Sequence, residues 1–496
     1  MHVGEMVREA GRRYGDRPAI VSGDETLSFV DFDRVTDRLG NALLARGLQP
    51  GDVVGILLPN GITGLVIYYA LAKAGLVRVS LNTREQDSDH AYKLGTVAAR
   101  ALIADEGHDL DAEIRIGAEE VAEMIATGPD HPCDHPRDFN AIYRFGFTGG
   151  TTGKSKAVML TMANEFAEVS SFLIDLLPGI RPGDAMLHAA PVTHASGAFF
   201  LPHLFRGGKN VVMERFDPGA FFESLERTQA TATFVVPTML SMLLDDPNVA
   251  DAKVNLRRLC YGAAPAAPAL LQRAQDIFGP VLANTYGQAE APMAITCLLP
   301  EDHAGRFGSA GKPYTLTQVR IVDEDDRELG PGEEGEIVTR GPHVMAGYLN
   351  QPEETAKTLR GGWLHTGDLG VADEDGFITL LDRRHDMIIS GGFNVYPRAV
   401  EDVLLAHPAV KEAAVVGLLD EKWGERVHAV VSTRSPVSED DLLAFAGEQL
   451  AGYKRPRSVE FWDELPKSGP GKILRRSVRD AVRARHAGEM EKGGQR

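Results

Sequence analysis

Cysteine is scarce in this 496-residue chain, and Cys133, Cys260 and Cys297 form an odd, widely spaced set. They support no disulfide framework and fit a reducing compartment. Long apolar runs are missing too: no stretch reaches the roughly 18 residues of a transmembrane helix. The first residues, MHVGEMVREAGRRYGDRP, carry no apolar signal core. Basic residues are in deficit, with 52 Lys and Arg against 70 Asp and Glu and a formal net charge of −18. Nucleic acid is therefore not an expected partner, because phosphate binding wants a basic face. An anionic cofactor would need a local cluster of Lys and Arg. No internal repeat and no low-complexity tract is present. Charged residues at 25% and apolar residues at 43% exclude a disordered chain. These absences predict a cytoplasmic protein without a membrane span, and they leave its oligomeric state open, a homodimer included.

Short apolar runs alternate with helix-period segments through most of the first 290 residues. Phe32, Val35, Leu39, Ala42 and Leu43 fall on one face of a helix that ends near Gly47. Val53–Leu58 predicts a buried strand, Leu65–Ala74 a helix and Val77–Leu81 another strand. The rhythm returns with strands at Val211–Met213, Ala232–Val236 and Val281–Tyr286, and helices at Ala220–Thr228 and Leu270–Phe278. Alternation of this kind implies mostly parallel sheets covered by helices on both faces, and the length fits two of them. From about residue 306 the texture changes. Runs such as Gln318–Val322 and Glu336–Thr339, separated by Gly, Pro and acidic turns, predict a β-rich subdomain to about residue 380. The expected fold class is α/β, with a large N-terminal domain over 1–382 and a small α+β C-terminal domain over 386–496. Val400–Leu405 and Val410–Val416 would form the small core, and the polar end HAGEMEKGGQR is expected to be disordered.

Phe147-Thr148-Gly149-Gly150-Thr151-Thr152-Gly153-Lys154-Ser155-Lys156 is the strongest local signal. The apolar strand Ala141–Phe147 leads in, and a helix from Met162 follows with Phe166, Val169, Phe172, Leu173 and Leu176 on one face. Three glycines let backbone approach an anion, threonines offer hydroxyl donors and lysines supply charge, which is the chemistry of a phosphate cradle. A Walker A loop is excluded by spacing, because Thr148 stands where its first Gly is needed. His131-Pro132-Cys133-Asp134-His135 carries metal-type side chains, but its spacing matches no zinc pattern and it reads as a linker.

The segment TGGTTGKSK resembles the signature loop of adenylate-forming enzymes (acyl-CoA synthetases, luciferases and adenylation domains), usually [ST]-[SG]-G-T-[ST]-G-x-P-K-G. Further segments match that family in order across nearly the whole chain. Pro191-Val192-Thr193-His194-Ala195-Ser196-Gly197 resembles P-x-x-H-x-x-G, beside the family's acyl pocket and thiol tunnel. Tyr261-Gly262-Ala263-Ala264-Pro265 follows a strand, opens a helix and resembles the adenine-side turn G-G-A-P. Asn284-Thr285-Tyr286-Gly287-Gln288-Ala289-Glu290 resembles N-x-Y-G-x-T-E, where the Tyr stacks on adenine and the Glu helps hold Mg²⁺ on the ATP phosphates. Gly362-Trp363-Leu364-His365-Thr366-Gly367-Asp368 matches W-x-x-T-G-D, a turn whose Asp accepts from both ribose hydroxyls. Leu381-Asp382-Arg383-Arg384-His385-Asp386-Met387-Ile388-Ile389-Ser390-Gly391-Gly392 resembles G-R-x-K-D-x-I-x-x-x-G. That match gives Arg383 a ribose or phosphate contact, His385 the hinge (about 382–386) and Gly392 a place along the pantetheine tunnel. Pro466-Lys467-Ser468-Gly469-Pro470-Gly471-Lys472-Ile473-Leu474-Arg475-Arg476 resembles P-K-[ST]-x-x-G-K-[IV]-x-R-R, whose mobile lysine stabilises charge at the α-phosphate. Read alone, its Arg475, Arg476, Arg479, Arg483 and Arg485 would be a solvated basic tail.

The resemblance implies a two-step ligase with a mobile C-terminal domain. ATP and Mg²⁺ activate a carboxylic acid as an acyl adenylate, and coenzyme A takes the acyl group as a thioester. Lys472, Glu290 and His194 are the candidate catalytic residues, with Glu290 also the metal ligand. Thr148, Gly149, Gly150, Thr151, Thr152, Gly153, Lys156, Gly262, Ala263, Ala264, Asn284, Tyr286, Gly287, Gln288, Ala289, Asp368, Arg383 and Gly392 are the candidate nucleotide and cofactor residues. The family's acyl pocket lies between the His194 segment and the helix after Glu290. His194, Ala195, Ser196, Ala198, Phe199, Gly262, Ala263 and Met293 are its candidate walls. Small side chains there favour an aryl, cinnamoyl-like or medium-chain acid over acetate. Gly149, Ser155, Ala157, Met162 and Ala289 depart from the family's usual residues. Other readings are a family member with another acid or acceptor (an amide ligase, a carrier-protein loader or a nitrite-activating diazotase) and a non-catalytic nucleotide or acyl binder.

Overall fold

The computed structural model describes the chain except residues 1, 136, 149–154, 251–253, 385, 421–422, 468–472 and 494–496, and gives backbone alone at 250 and 486–493. Among the described residues, strands gather into a 13-stranded, a 7-stranded and a 5-stranded sheet. In the 7-stranded sheet, Val53–Leu57 lies between Val77–Ser80 and Ala101–Ala104, and all three are parallel. Val53–Leu57 is apolar along its length because helices cover both faces of such a sheet. The neighbouring helix Ile62–Lys73 is buried almost all round.

The 13-stranded sheet changes character halfway. From Pro18–Ser22 through Lys209–Val212, Ala185–His188, Ala232–Val235 and Arg258–Gly262 to Leu282–Gln288 the pairing is parallel. Beyond Leu282–Gln288 it is antiparallel, through Ala291–Leu298, Ser309–Pro313, Ile378–Arg383, Leu364–Ala372 and Gly335–Arg340 to Gln318–Val322. The β-rich segment is thus continuous with the helix-covered parallel sheet. Crossover helices leave parallel strands no hairpins, whereas Gly- and Pro-punctuated turns give antiparallel ones.

The C-terminal α+β unit is built on the long hairpin Val410–Asp420 and Gly424–Thr433. Val400 and Leu404 pack with Val410, Val415 and Leu442 on one face, and Val478 and Val482 close the other. Several contacts join it to the rest of the chain. Tyr396 donates to Glu334 (2.7 Å), and Arg398 donates to the Leu380 carbonyl (2.9 Å). Arg475 is a buried junction, donating to Asp382 (2.8 Å), Asp386 (3.0 Å) and Glu401 (2.8 Å). The basic run is therefore not wholly a solvated tail. Its first member is captured by three carboxylates.

Two other expectations change. The polar end is helical as far as Gly493, in a helix Arg475–Gly493 that Val478 and Val482 anchor to the sheet. The His131–His135 linker is irregular but pinned. Cys133 is fully buried against Gly40, its N–H donates to Asp37 (3.0 Å), and Asp134 contacts His2 (2.9 Å). Asp37 itself is paired with the buried Lys73 (2.8 Å), so this strap adds a backbone hydrogen bond to an ion pair that is already formed. Burial pushes the Cys133 thiol up to about 12, consistent with an inert core cysteine.

His188, His203 and His343 are buried, and burial pushes each from 6.5 down to about 4. The unfolded chain takes up protons there between pH 6.5 and 4 that the native state refuses. Stability is therefore present above that window and lost as pH falls through it, by up to about 1.4 kcal/mol per pH unit for each histidine. Urea denaturation at pH 7 and pH 5 should show the midpoint falling, and falling less in His188→Gln. A midpoint unchanged between the two pH values would contradict the burial of neutral histidines.

Candidate active site

The glycine-rich loop leaves a tight neck. Strand Ile142–Phe147 pairs antiparallel with Ala157–Thr161, Phe147 opposite Ala157. Thr148 N–H donates to the Lys156 carbonyl (3.1 Å), and Lys156 N–H donates to Thr148 Oγ1 (3.0 Å). Of the loop candidates, Gly149, Gly150, Thr151, Thr152 and Gly153 lie outside the described residues. From the neck, Lys156 reaches Glu354 (3.0 Å) and covers the Tyr348 ring at 4.4 Å. Tyr348 belongs to the short strand Gly347–Tyr348 beside Ala157–Thr161, and its hydroxyl donates to Glu290 Oε1 (2.7 Å). The root of the loop and Glu290 are thereby brought together.

Glu290 sits at a hairpin between Leu282–Gln288 and Ala291–Leu298. A strand, not a helix, follows it, so the expected acyl-pocket helix is absent at this point. The local reason lies in two backbone positions. A Cβ at Gly287 would fall 2.2 Å from the Met293 nitrogen, and Met293 adopts φ +47°. Together they fold the chain back on itself with a bulge. Ala289 packs partly against the apolar cluster of Val158, Ile295 and Leu364. Gln288 and Asn284 are half-buried, and Asn284 hydrogen-bonds the Tyr261 phenol, whose pKa burial nonetheless raises.

Asp368 is the centre of the second cluster. It is buried, accepts from the Tyr286 hydroxyl at Oδ2 (2.6 Å) and forms an ion pair with Arg383 Nε through Oδ1 (3.2 Å). Asp368 and Arg383 are cross-strand partners on Leu364–Ala372 and Ile378–Arg383. The expected turn around Asp368 is therefore a strand, interrupted at Gly367 with φ +70°. Burial opposes the charge of Arg383, but Asp368, Tyr286 and, further off, Glu290 outweigh it and raise its pKa. The Tyr286 ring is buried in the same apolar cluster as Val158 and Ile295.

The acyl-pocket candidates divide. His194 precedes the short helix Ala195–Phe199, and its Nε2 lies 3.1 Å from the Asn82 amide nitrogen. Burial lowers its pKa against a hydrogen bond to the Thr193 backbone. Ala195, Ala198 and Met293 pack at the margin of one apolar cluster. Ser196 does not face a pocket, because its hydroxyl is bound to buried His188 (2.9 Å), which also holds Asn210 (2.9 Å). Phe199 is fully buried between Phe172 and Phe234 and is core. Gly262 sits within a strand, where a Cβ would meet the Thr285 carbonyl at 2.4 Å, so close strand packing explains it. Ala263 is exposed at φ +65° and Ala264 half-buried, in the turn before helix Pro268–Phe278. Gly392 turns between Ile388–Ser390 and Phe393–Val395 at φ +84°, with open space where a Cβ would stand. His385 and Lys472 lie outside the described residues.

Sequence reasoning missed Asn82, Tyr348 and Glu354. Asn82 follows the parallel strand Val77–Ser80 at its carboxyl end, the usual ligand side of such sheets, and that signal was available. Tyr348 and Glu354 lie in short elements with no periodicity. As chemistry, a buried carboxylate beside a guanidinium suits a ligand bearing hydroxyls and negative charge. Among the described residues only Oε1 of Glu290 is engaged, so its second oxygen fits a hard divalent cation.

Removing the Tyr286 hydroxyl should leave Asp368 Oδ2 short of a donor. Tyr286→Phe is expected to cost about 1.5–3 kcal/mol in urea denaturation, the range for a hydrogen bond to a charged group. A loss below about 0.5 kcal/mol would show that the bond contributes nothing.

A family model described as AMP-binding enzyme matches residues 7–349, and one described as AMP-binding enzyme C-terminal domain matches 399–472. A feruloyl-CoA synthase from an Amycolatopsis species is 37% identical over 478 residues, 93% of this chain and 95% of that protein. The o-succinylbenzoate CoA synthetase of Bacillus subtilis, solved with the acyl-adenylate intermediate OSB-AMP, gives a TM-score of 0.88 at 32% identity, over 95% of this chain and 97% of that one. The same enzyme has been solved with ATP and a magnesium ion. An amide bond synthetase from Marinactinospora thermotolerans gives a TM-score of 0.87 at 30% identity, over 96% of this chain and 99% of that one.

Proposed function

Because the chain belongs to the AMP-binding enzyme family, we propose that it is an AMP-forming acid–thiol ligase using ATP, Mg²⁺ and coenzyme A. The observation that carries this reading is the convergence of Tyr286, Asp368 and Arg383 beside the Glu290 hairpin and the root of the glycine-rich loop. A carboxylate oxygen of the acid attacks the α-phosphorus of ATP, the bond to the bridging oxygen breaks, and pyrophosphate leaves. The thiol sulfur then attacks the acyl carbon, its proton passes to solvent, and AMP departs with the bonding electrons. Asp368 accepts from ribose hydroxyls, with Tyr286 and Arg383 fixing its orientation. Lys156 exchanges its Glu354 partner for phosphate oxygens. Glu290 would hold the metal ion, which would supply positive charge to the phosphate oxygens.

Lys472 comes from the C-terminal unit, 386–496, which turns about 382–386 relative to 1–382. It stabilises charge in the first step and is withdrawn for the second. Arg475, three residues on, is held by Asp382 and Asp386, and this links the lysine-bearing segment to the hinge. His194, whose pKa burial lowers, borders the acyl site with Ala195, Ala198 and Met293. These small or flexible walls support an aryl, cinnamoyl-like or medium-chain acid, as do relatives named for feruloyl and o-succinylbenzoyl thioesters. Three free, buried cysteines support a cytoplasmic setting. Among the described residues, no helix is long and apolar enough to cross a membrane. An amide-forming variant of the same chemistry is the second reading, favoured by the likeness to the amide bond synthetase.

Pyrophosphate release with a panel of aryl, cinnamoyl-type and medium-chain acids tests the proposal, with products read by mass spectrometry. Acid-dependent release and a thioester formed only with coenzyme A are expected. Amide formation from added amines without thioester would favour the second reading, and no acid-dependent release would refute both. Lys472→Ala should slow adenylation by about 100- to 1000-fold while leaving thioester formation from presynthesised adenylate much less affected. Equal loss in both half-reactions would contradict withdrawal of the lysine.

A further inference from the structure

Away from the nucleotide cluster, Asp87, His90 and His108 converge on one point. Asp87 and His90 stand one turn apart on helix Asp87–Thr96, and His108 comes from the loop after strand Ala101–Ala104. One ligand atom from each lies within 4.8 Å of the others. His108 Nδ1 is 2.7 Å and His90 Nδ1 is 3.4 Å from the same oxygen, Asp87 Oδ1. His90 is fully buried, whereas Asp87 and His108 are partly open to solvent.

The hydrogen-bond inventory makes this more than a cluster of compatible residues. His90 Nε2 lies 2.9 Å from the backbone carbonyl of Asn82, which can only accept. Nε2 must therefore carry a hydrogen, and in neutral His90 the Nδ1 lone pair then faces the Asp87 carboxylate. Two acceptors at 3.4 Å repel each other, and a positive group between them relieves that repulsion. One solution is a second proton on a buried imidazole. The other is a metal ion, and the Nε2–H to carbonyl bond is the support that orients a metal-bound histidine. The remaining carboxylate contact is weak, since Asp109 N–H is 3.4 Å from Asp87 Oδ2. Glu85 approaches His90 only from the Nε2 side, at 4.0 Å, and is paired with Lys93.

We propose that Asp87, His90 and His108 form a binding site for a borderline transition-metal cation of the Zn²⁺ or Co²⁺ class. Two imidazole nitrogens and one carboxylate oxygen supply three ligands, and the exposed side of Asp87 and His108 leaves a fourth position to water. On binding through Nδ1, neutral His108 carries its one ring hydrogen on Nε2, so the hydrogen that faces Asp87 moves to the other nitrogen through solvent with no net change of protons. The site is structurally joined to His194. Asn82 accepts from His90 through its carbonyl, accepts from Arg84 N–H through Oδ1 (3.0 Å), and presents its amide nitrogen to His194. A metal that fixes His90 thus fixes the residue that orients His194.

The test uses the full chain, free of any affinity tag and stripped with chelator, titrated with Co²⁺ and then Zn²⁺. One equivalent of Co²⁺ with visible d–d bands, displaced by Zn²⁺, is expected. His108→Ala and Asp87→Asn should each weaken Zn²⁺ binding by at least ~10-fold while the metal-free melting temperature stays near that of wild type. Unchanged affinity in both variants, or binding well below one equivalent, would overturn the site. Nitrogen NMR of the wild-type protein decides independently of either variant. A doubly protonated His90 in the presence of Zn²⁺ would also overturn it, and Zn²⁺-dependent shifts of the His90 and His108 Nδ1 resonances would support it.

Discussion

A buried carboxylate needs polar or charged partners, and Asp368 finds a phenol and a guanidinium on two strands far apart in sequence. Tyr286 reaches it from the last parallel strand of the large sheet, and Arg383 from the antiparallel strand that pairs with the one carrying Asp368. Because each oxygen is already engaged, the carboxylate cannot rotate freely. Displacing either partner would strand the other. The parallel half of the sheet, which supplies Tyr286 and the Glu290 hairpin, is held to the antiparallel half, which supplies Asp368. Arg383 stands one residue from Asp382, where the Arg475 junction begins. A single charged contact thus ties sheet, hairpin and the start of the C-terminal unit.

Arg475 repeats this logic at the other end. Three carboxylates from three segments surround one guanidinium, and together they raise its pKa strongly against the cost of burial. Asp382 also accepts from Arg398 N–H (2.9 Å), so helix Pro397–Leu405 is registered to the same point. In the proposed cycle the C-terminal unit turns about 382–386, and these contacts are the ones such a turn must carry along or break.

Much of the fold was legible because its elements carry a strong period. Val53–Leu57 is apolar throughout, and Gln318–Val322 is bounded by turn residues on both sides. The parallel sheets could be inferred from alternation alone. The site was legible mainly through resemblance, because Asp368, Tyr286 and Arg383 lie far apart in sequence and no local pattern brings them together. What failed did so for local reasons. The hairpin after Glu290 depends on Gly287 and the left-handed Met293, and no propensity rule expects a methionine there. Ser196 and Phe199 sit in a pocket-like motif, but a short 3₁₀ helix turns both inward, toward His188 and Phe172. Read alone, Arg475 is only a tail charge, because its three partners come from residues 74 to 93 positions away.

Everything proposed for the nucleotide rests on Asp368 being held ready for ribose hydroxyls, beyond joining two strands. Calorimetric titration of ATP into Asp368→Ala, alongside its melting temperature, measures this most directly. ATP affinity should fall on the order of 10-fold or more, the loss of a hydrogen bond to a charged acceptor, in protein that is still folded at the titration temperature. A folded variant that binds ATP as tightly as wild type would contradict the assignment and leave Asp368 a purely structural residue.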